Sequence, residues 1–171
     1  VAGDPLNAAL WTEADVYVGD LSAVNPATVN DPFGSDWDLV GLLNGDNGIV
    51  ESRSEDTNDI YAWGGILVRT SRNHFKLTRT FTALEDNDTT FALRWPGSTS
   101  SQIVVPRPVP LKVAFEVRED DKIHRVITAN HGEITLNSDV TQNETDLEAF
   151  EFLTTIFPTG GGVLFVVQDT A

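Results

Sequence analysis

The sequence contains no cysteine and no methionine, and it sets only 11 basic residues against 26 acidic ones for a net charge of −15. Without cysteine, neither disulfides nor thiolate metal sites can hold the fold, so a packed core must do it alone. Methionine is missing even at position 1, as expected of a processed or renumbered chain, and the core is left to side chains with better-defined rotamers. No apolar run approaches the roughly 18 residues of a membrane-spanning helix. The stretch 1–11 has no basic region followed by an apolar block, which predicts a soluble chain without a secretory leader. The shortage of Lys and Arg argues against gripping nucleic acid, because phosphate contact depends on cations that displace counterions.

The charge that is present is segregated. Between Glu13 and Asp59 there are eleven acids and one base, Arg53, whereas Arg69, Arg72, Lys76 and Arg79 follow with no acid among them. At 171 residues the expectation is one domain over 1–171, with an N-terminal segment and arm (1–59) and a β-rich core with a helix (60–171). In the first part, short apolar pieces near 15–19 and 37–43 read as strands between Asn25-Pro26, Asp31-Pro32, Gly45 and Gly48. The stretch 44–58 reads as a long extended arm, and a loop of that length is usually functional or disordered.

From Ile60 the pattern becomes regular. The run 60–68 is aromatic and β-branched, as strands prefer, and Ser71-Arg72-Asn73 reads as a turn. Phe75, Leu77 and Phe81 then alternate with Lys76, Thr78 and Thr80 at period two. Between Leu84 and Trp95 the period changes: Leu84, Phe91, Ala92 and Trp95 share one helical face, with acids at the start, Arg94 near the end and Pro96-Gly97 as the stop. This predicts a short helix over 84–95, held to the sheet by Phe91 and Trp95. A meander is expected from Leu111 to Leu136, turning at Asp120-Asp121 and Asn130-His131-Gly132, then a hairpin of 150–156 with 163–167. The fold class is therefore mainly β: a β-sandwich or partly closed barrel of about eight to nine strands with one short helix. Trp63, Phe81, Phe91 and Trp95 are the expected packing residues.

Signatures of chemistry are weak. His74, His124 and His131 are isolated and lack metal-ligand spacing. A calcium loop around Asn44–Glu51 fails in register: with Gly48 at the sixth position, Leu43 falls first and Ser54 twelfth. Gly160-Gly161-Gly162 is followed by a strand and no Lys, and no nucleophile motif occurs. The sequons at Asn87 and Asn143 have no secretory context. A non-enzymatic chain without cofactor or metal is expected.

The segment Asn58-Asp59-Ile60-Tyr61-Ala62-Trp63-Gly64-Gly65, then Phe75 to Leu84, then Glu85-Asp86-Asn87 opening a helix that ends Arg94-Trp95-Pro96-Gly97, forms one ordered pattern. With Val126-Ile127 and Val140 to Phe152, it resembles the major tail protein of siphophages that infect actinobacteria, over roughly residues 37–168. The resemblance implies a tail tube subunit that forms hexameric rings stacked into a hollow conduit for DNA ejection. It places the chain in the virion tail, assembled in the host cytoplasm. The implied partners are other copies of itself, a tape measure protein, a tail terminator and a distal tail protein, with DNA passing through the lumen without specific binding.

On that reading, Asp46, Glu51, Glu55, Asp56 and Asp59 are expected to dock on Arg69, Arg72 and Arg79 of another subunit. Glu116, Glu133 and Glu151, on predicted strands and facing away from the apolar set, are candidates for the lumen, where an acidic wall would repel phosphate over about 10 Å at 0.1 M salt. The alternatives are a tube subunit of a contractile tail or secretion apparatus, and a stand-alone β-sandwich binding carbohydrate through Trp37, Tyr61 and Trp63.

Overall fold

The computed structural model describes residues 3–4 and 7–170. The alternating stretches form nine strands: β1 (Glu13–Gly19), β2 (Trp37–Leu39), β3 (Val50–Ala62), β4 (Ile66–Ala83), β5 (Pro110–Glu119), β6 (Lys122–Thr128), β7 (His131–Leu136), β8 (Phe150–Phe157) and β9 (Phe165–Asp169). One helix, α1 (Asp88–Arg94), lies between β4 and β5. All pairings are antiparallel, and the sheet bends over without closing.

Two layers result. One runs β2-β1-β5-β6-β9 and the other β3-β4-β8-β7, and they join where Pro110 and Leu111 pair with Glu133 and Gly132. Period-two alternation produces the core between them. On β8, Phe150, Phe152, Thr154 and Ile156 are buried while Glu151, Leu153, Thr155 and Phe157 are half-buried on the other face. Those residues meet Leu77 and Phe81 of β4, Ile134 of β7, and Val16, Val113, Phe115 and Val126 of the opposite layer. Each fully buried side chain of this size contributes about 1.5–3 kcal/mol relative to exposure, and the cluster holds the layers together without a cross-link.

The first layer has a second covered face. Ala23, Trp37, Ala114 and Ile127 cluster there with Tyr17 and Phe33, beneath the irregular segment 20–36 that connects β1 to β2. That segment is fastened by polar contacts to its backbone. Lys112 donates to the Ala23 carbonyl at 2.6 Å, Gln168 to that of Pro26 at 2.7 Å, and Trp37 Nε1 to that of Val24 at 2.9 Å.

The helix is shorter than expected because Asn87, not the acids before it, starts it. The Asn87 side chain accepts from the Thr90 amide at 2.9 Å and the Thr90 hydroxyl accepts from the Asn87 amide at 2.8 Å, a reciprocal cap that satisfies two otherwise orphaned donors. Glu85 is used elsewhere, accepting from the Leu42 amide at 3.0 Å. Gly41, at φ +106°, allows this approach; a Cβ there would lie 2.6 Å from the Glu85 carboxylate. The buried helical residues are Thr90 and Leu93, with Phe91 and Trp95 half-buried and Ala92 exposed, so the core-facing stripe is rotated from the expected one.

Three further expectations change. Residues 60–68 are not one strand, because Gly64 and Gly65 both take positive φ and turn the chain between β3 and β4. Ser71-Arg72-Asn73 lies within β4, paired with Asn58, Thr57 and Asp56. β8 and β9 do not form a hairpin; β8 pairs with β4 and β7, and β9 pairs with β6 in the other layer.

Candidate assembly surfaces

The expected arm is one half of a long hairpin. β3 and β4 pair from Val50–Thr80 to Ala62–Ile66, but β8 supports β4 only from Leu77 to Ala83. Beyond that support, nine residues of β3 (54–62) continue with β4 as a two-stranded ribbon, reaching about 30 Å at roughly 3.3 Å per residue. A β-bulge at His74, which takes φ 56°, and a register shift beside Ile60 add twist. An isolated two-stranded ribbon is marginal in water, so a partner covering this one would add stability.

Its tip is apolar and exposed. Ile60, Tyr61, Ile66, Leu67 and Val68 all retain about half or more of their accessible surface, and Trp63 is fully exposed at 101%. Trp63 therefore corrects the expectation of a core residue: it stands at the turn, beside Gly64-Gly65, where no other described residue covers it. Phe81 is buried at 1% in the main cluster. A contiguous apolar patch of this kind on an otherwise charged molecule marks a contact surface.

The charge segregation is largely resolved inside the hairpin. Glu51 receives Arg79 at 2.7 Å and Arg53 at 2.7 Å, and Glu55 lies 3.8 Å from Arg72. Asp56 meets His74 at 3.0 Å, and Asp59 accepts from Thr70 at 2.7 Å. Arg79 and Arg72 thus find acids across the ladder of their own chain. Asp46 is exposed in the turn after Leu43 and makes no ion pair, and Arg69 on the tip also has none among the described residues.

The Arg79 guanidinium lies between Phe115 and Phe165, 5.1 and 4.9 Å from their ring centres, at the root of the hairpin. Its hydrogen bonds hold the Glu51 carboxyl below the ordinary value of 4.5, outweighing partial burial, with Arg53 adding to the effect. A depressed folded-state pKa gives stability that is present above the unfolded pKa and is lost as pH falls through the folded value. We therefore expect Glu51→Gln to be less stable than the parent at neutral pH, and the difference to shrink as pH falls below the ordinary carboxylate value and through the lowered one of folded Glu51. Chemical unfolding over a pH series checks this; a constant difference at all pH values would defeat it.

Of the three lumen candidates, two share a face. Glu151 and Glu133 project from the outward side of the β3-β4-β8-β7 layer with Thr78, Thr80, Thr135, Leu153 and Thr155, and Glu151 accepts from Asn137 at 2.6 Å. Glu116 does not belong there. It is 4% exposed beneath the segment 20–36, receiving Arg125 Nε at 2.6 Å and Arg118 at 2.5 Å. The alternation that turned Glu116 away from the main core turned it into the second covered face.

Arg118 extends this cluster to Asp15 and to Glu13 at 3.1 Å. Burial works against its charge, but Asp15, Glu116 and Glu13 outweigh that and raise its pKa further. The Tyr17 hydroxyl is pushed up by burial and by Asp15 and Glu116. No three His, Asp or Glu among the described residues converge as a metal site.

Sequence reading missed the apolar tip, although the signal was present: a Trp followed by two glycines within a run of apolar residues whose alternate positions are apolar too. No family model matches the chain, and no curated protein matches it. Among solved structures, it is similar to a chain of the extended sheath–tube complex of an extracellular contractile injection system, at 13% identity and a TM-score of 0.44, covering 92% of this chain and 88% of that one. It is also similar to a chain of the virion of a native gene transfer agent particle, at 14% identity and a TM-score of 0.39, covering 92% of this chain and 96% of that one.

Proposed function

We propose that the chain is a non-enzymatic structural subunit that assembles with copies of itself into stacked rings, forming the hollow tail tube of a siphophage-type particle. The observation that carries this reading is the hairpin: an apolar tip that no other described residue covers, held about 30 Å beyond the supporting strand. A segment of that design serves contact with another molecule. The β3-β4-β8-β7 layer supplies the second requirement. Its outer strands β3 and β7 leave edge groups unpaired over most of their length, and pairing β3 of one copy with β7 of the next would continue the layer around a ring.

In such a ring the outward face of this layer lines the lumen. Threonines offer a polar, uncharged wall, while Glu133 and Glu151 supply negative charge that keeps a passing DNA backbone from adhering. The tape measure protein, terminator and distal tail protein belong to this reading as partners at the tube's interior and ends. A tube subunit of a contractile tail or secretion apparatus would use the same surfaces.

The carbohydrate-binding alternative draws on the exposure of Tyr61 and Trp63. Their neighbours at the tip are Ile60, Ile66, Leu67 and Val68, which provide none of the directed polar groups that fix a sugar. Negative-stain microscopy of the purified chain at rising concentration tests the proposal. Rings or tubes are the expected result, and a monomer that persists at high concentration would overturn it.

A further inference from the structure

The hairpin carries a charge pattern that identifies its receptor. From Val50 to Lys76, four acids (Glu51, Glu55, Asp56, Asp59) balance four bases (Arg53, Arg69, Arg72, Lys76), so the whole −15 resides on the rest of the chain. The tip, residues 60–69, has no acid at all and carries Arg69. Arg69 has no ion pair or side-chain hydrogen bond among the described residues. The tip is thus an apolar surface with uncompensated positive charge, on a molecule that is otherwise strongly negative.

One surface of the body has the opposite pattern. A groove of about 670 Å³ runs between α1 and the neighbouring ends of β1 and β5. Its floor is apolar, including Ala92, Leu93, Pro96 and Val109, and its rim carries Asp20, Asp36, Asp38 and Asp88. All four aspartates are exposed, and none has a side-chain partner among the described residues. The topology sets this groove at the far end of the molecule from the tip. β4 runs from the tip at Ile66 to Ala83, and α1 begins five residues later at Asp88, so the strand's whole length separates the two.

We infer that the hairpin tip of one copy docks in this groove of the next copy, with Ile66 and Trp63 on the apolar floor and Arg69 against the aspartate rim. This rests on the self-assembly proposed above and names the surface that receives the arm. Because tip and groove are different surfaces at opposite ends, the contact is head-to-tail and repeats without limit, as a stack requires. A tip-to-tip contact would instead close after two copies and bring like charges together.

The absence of native cysteine makes the test clean. One variant carries Ile66→Cys and another Ala92→Cys, both at exposed positions, and the two are mixed under mild oxidation. Mixed disulfide dimers are expected to exceed either homodimer by about tenfold. Separately, Arg69→Glu, and Asp36→Lys with Asp38→Lys, are each expected to raise the concentration needed for assembly by about tenfold, and mixing the two variants is expected to restore it.

Tubes that form without preferential mixed cross-linking, or reversed charges that fail to rescue each other, would overturn the groove and leave the tube reading intact. Mixed cross-linking by a chain that never forms rings or tubes would uphold the contact and overturn the tube. Predominant Ile66→Cys homodimers would replace it with a tip-to-tip pair.

Discussion

Arg125→Ala should cost about 3–5 kcal/mol of unfolding free energy, because it leaves the Glu116 carboxylate buried beside a cavity. The two side chains are 4% and 5% exposed and meet at 2.6 Å. Arg125 also donates to the carbonyls of Thr28 and Asp31, each at 3.2 Å, and to Gln168 at 3.0 Å, and its guanidinium lies 4.5 Å from the centre of the Phe33 ring. One cation therefore neutralises the buried acid and fastens the segment 20–36 over the second cluster. Arg118 remains on Glu116 at 2.5 Å, which places the expected loss within that range rather than above it.

Two readouts separate these roles. Equilibrium unfolding in denaturant gives the total loss, and hydrogen exchange should show faster opening of 20–36 before global unfolding. The double variant Arg125→Met with Glu116→Leu should lose less than Arg125→Ala alone, because no orphaned charge remains. A loss under about 1 kcal/mol for Arg125→Ala would show that water reaches Glu116 and that the cluster is not a structural element.

Removing the distal hairpin should have the opposite profile: little loss of stability and complete loss of assembly. Ser54 and Lys76 already pair across the ladder, so replacing 55–75 by Asn-Gly closes the ribbon at its supported root with a favoured two-residue turn. The deleted residues contact chiefly one another and contribute nothing to either core cluster. The shortened chain should unfold within about 1 kcal/mol of the parent and sediment as a single small species at concentrations where the parent polymerises. Tubes of normal appearance from the shortened chain would exclude the hairpin as the assembly element. A shortened chain that does not fold would show that the ribbon supports the body.

The fold class was legible because alternation survives wherever a strand has one buried face, as on β8 and β7. The helix was legible from its end signals, but Asn87 delayed its start by forming a cap that Glu85 and Asp86 do not make. Composition alone cannot rank those competing starts. The hairpin was hidden by its own uniformity. Both of its faces are exposed, so no alternation marks it, and the turn-like Ser71-Arg72-Asn73 is overridden by pairing with 56–58.

The second covered face was invisible for a related reason. The segment 20–36 has no period, and nothing in sequence shows that an irregular stretch lies over Glu116. The candidate sites divide along this line. Glu133 and Glu151 lie on a regular strand face, whereas Trp63 and Glu116 depend on what the rest of the chain does or does not cover.

The pairing pattern also bears on the order of events during synthesis. β3 and β4 are neighbours in the chain, and a hairpin of that kind can close in about 1–10 μs once both strands are available. The body depends on distant partners: Glu13 pairs with Arg118, Ala83 with Phe150 and His124 with Asp169. Such contacts delay folding, because long loops must close before any apolar surface is covered. Neither layer is complete until β8 and β9 have emerged, so the body that could receive another arm is finished last. If copies assemble as proposed, a half-made body offers no complete receiving surface, and growth is left to finished subunits.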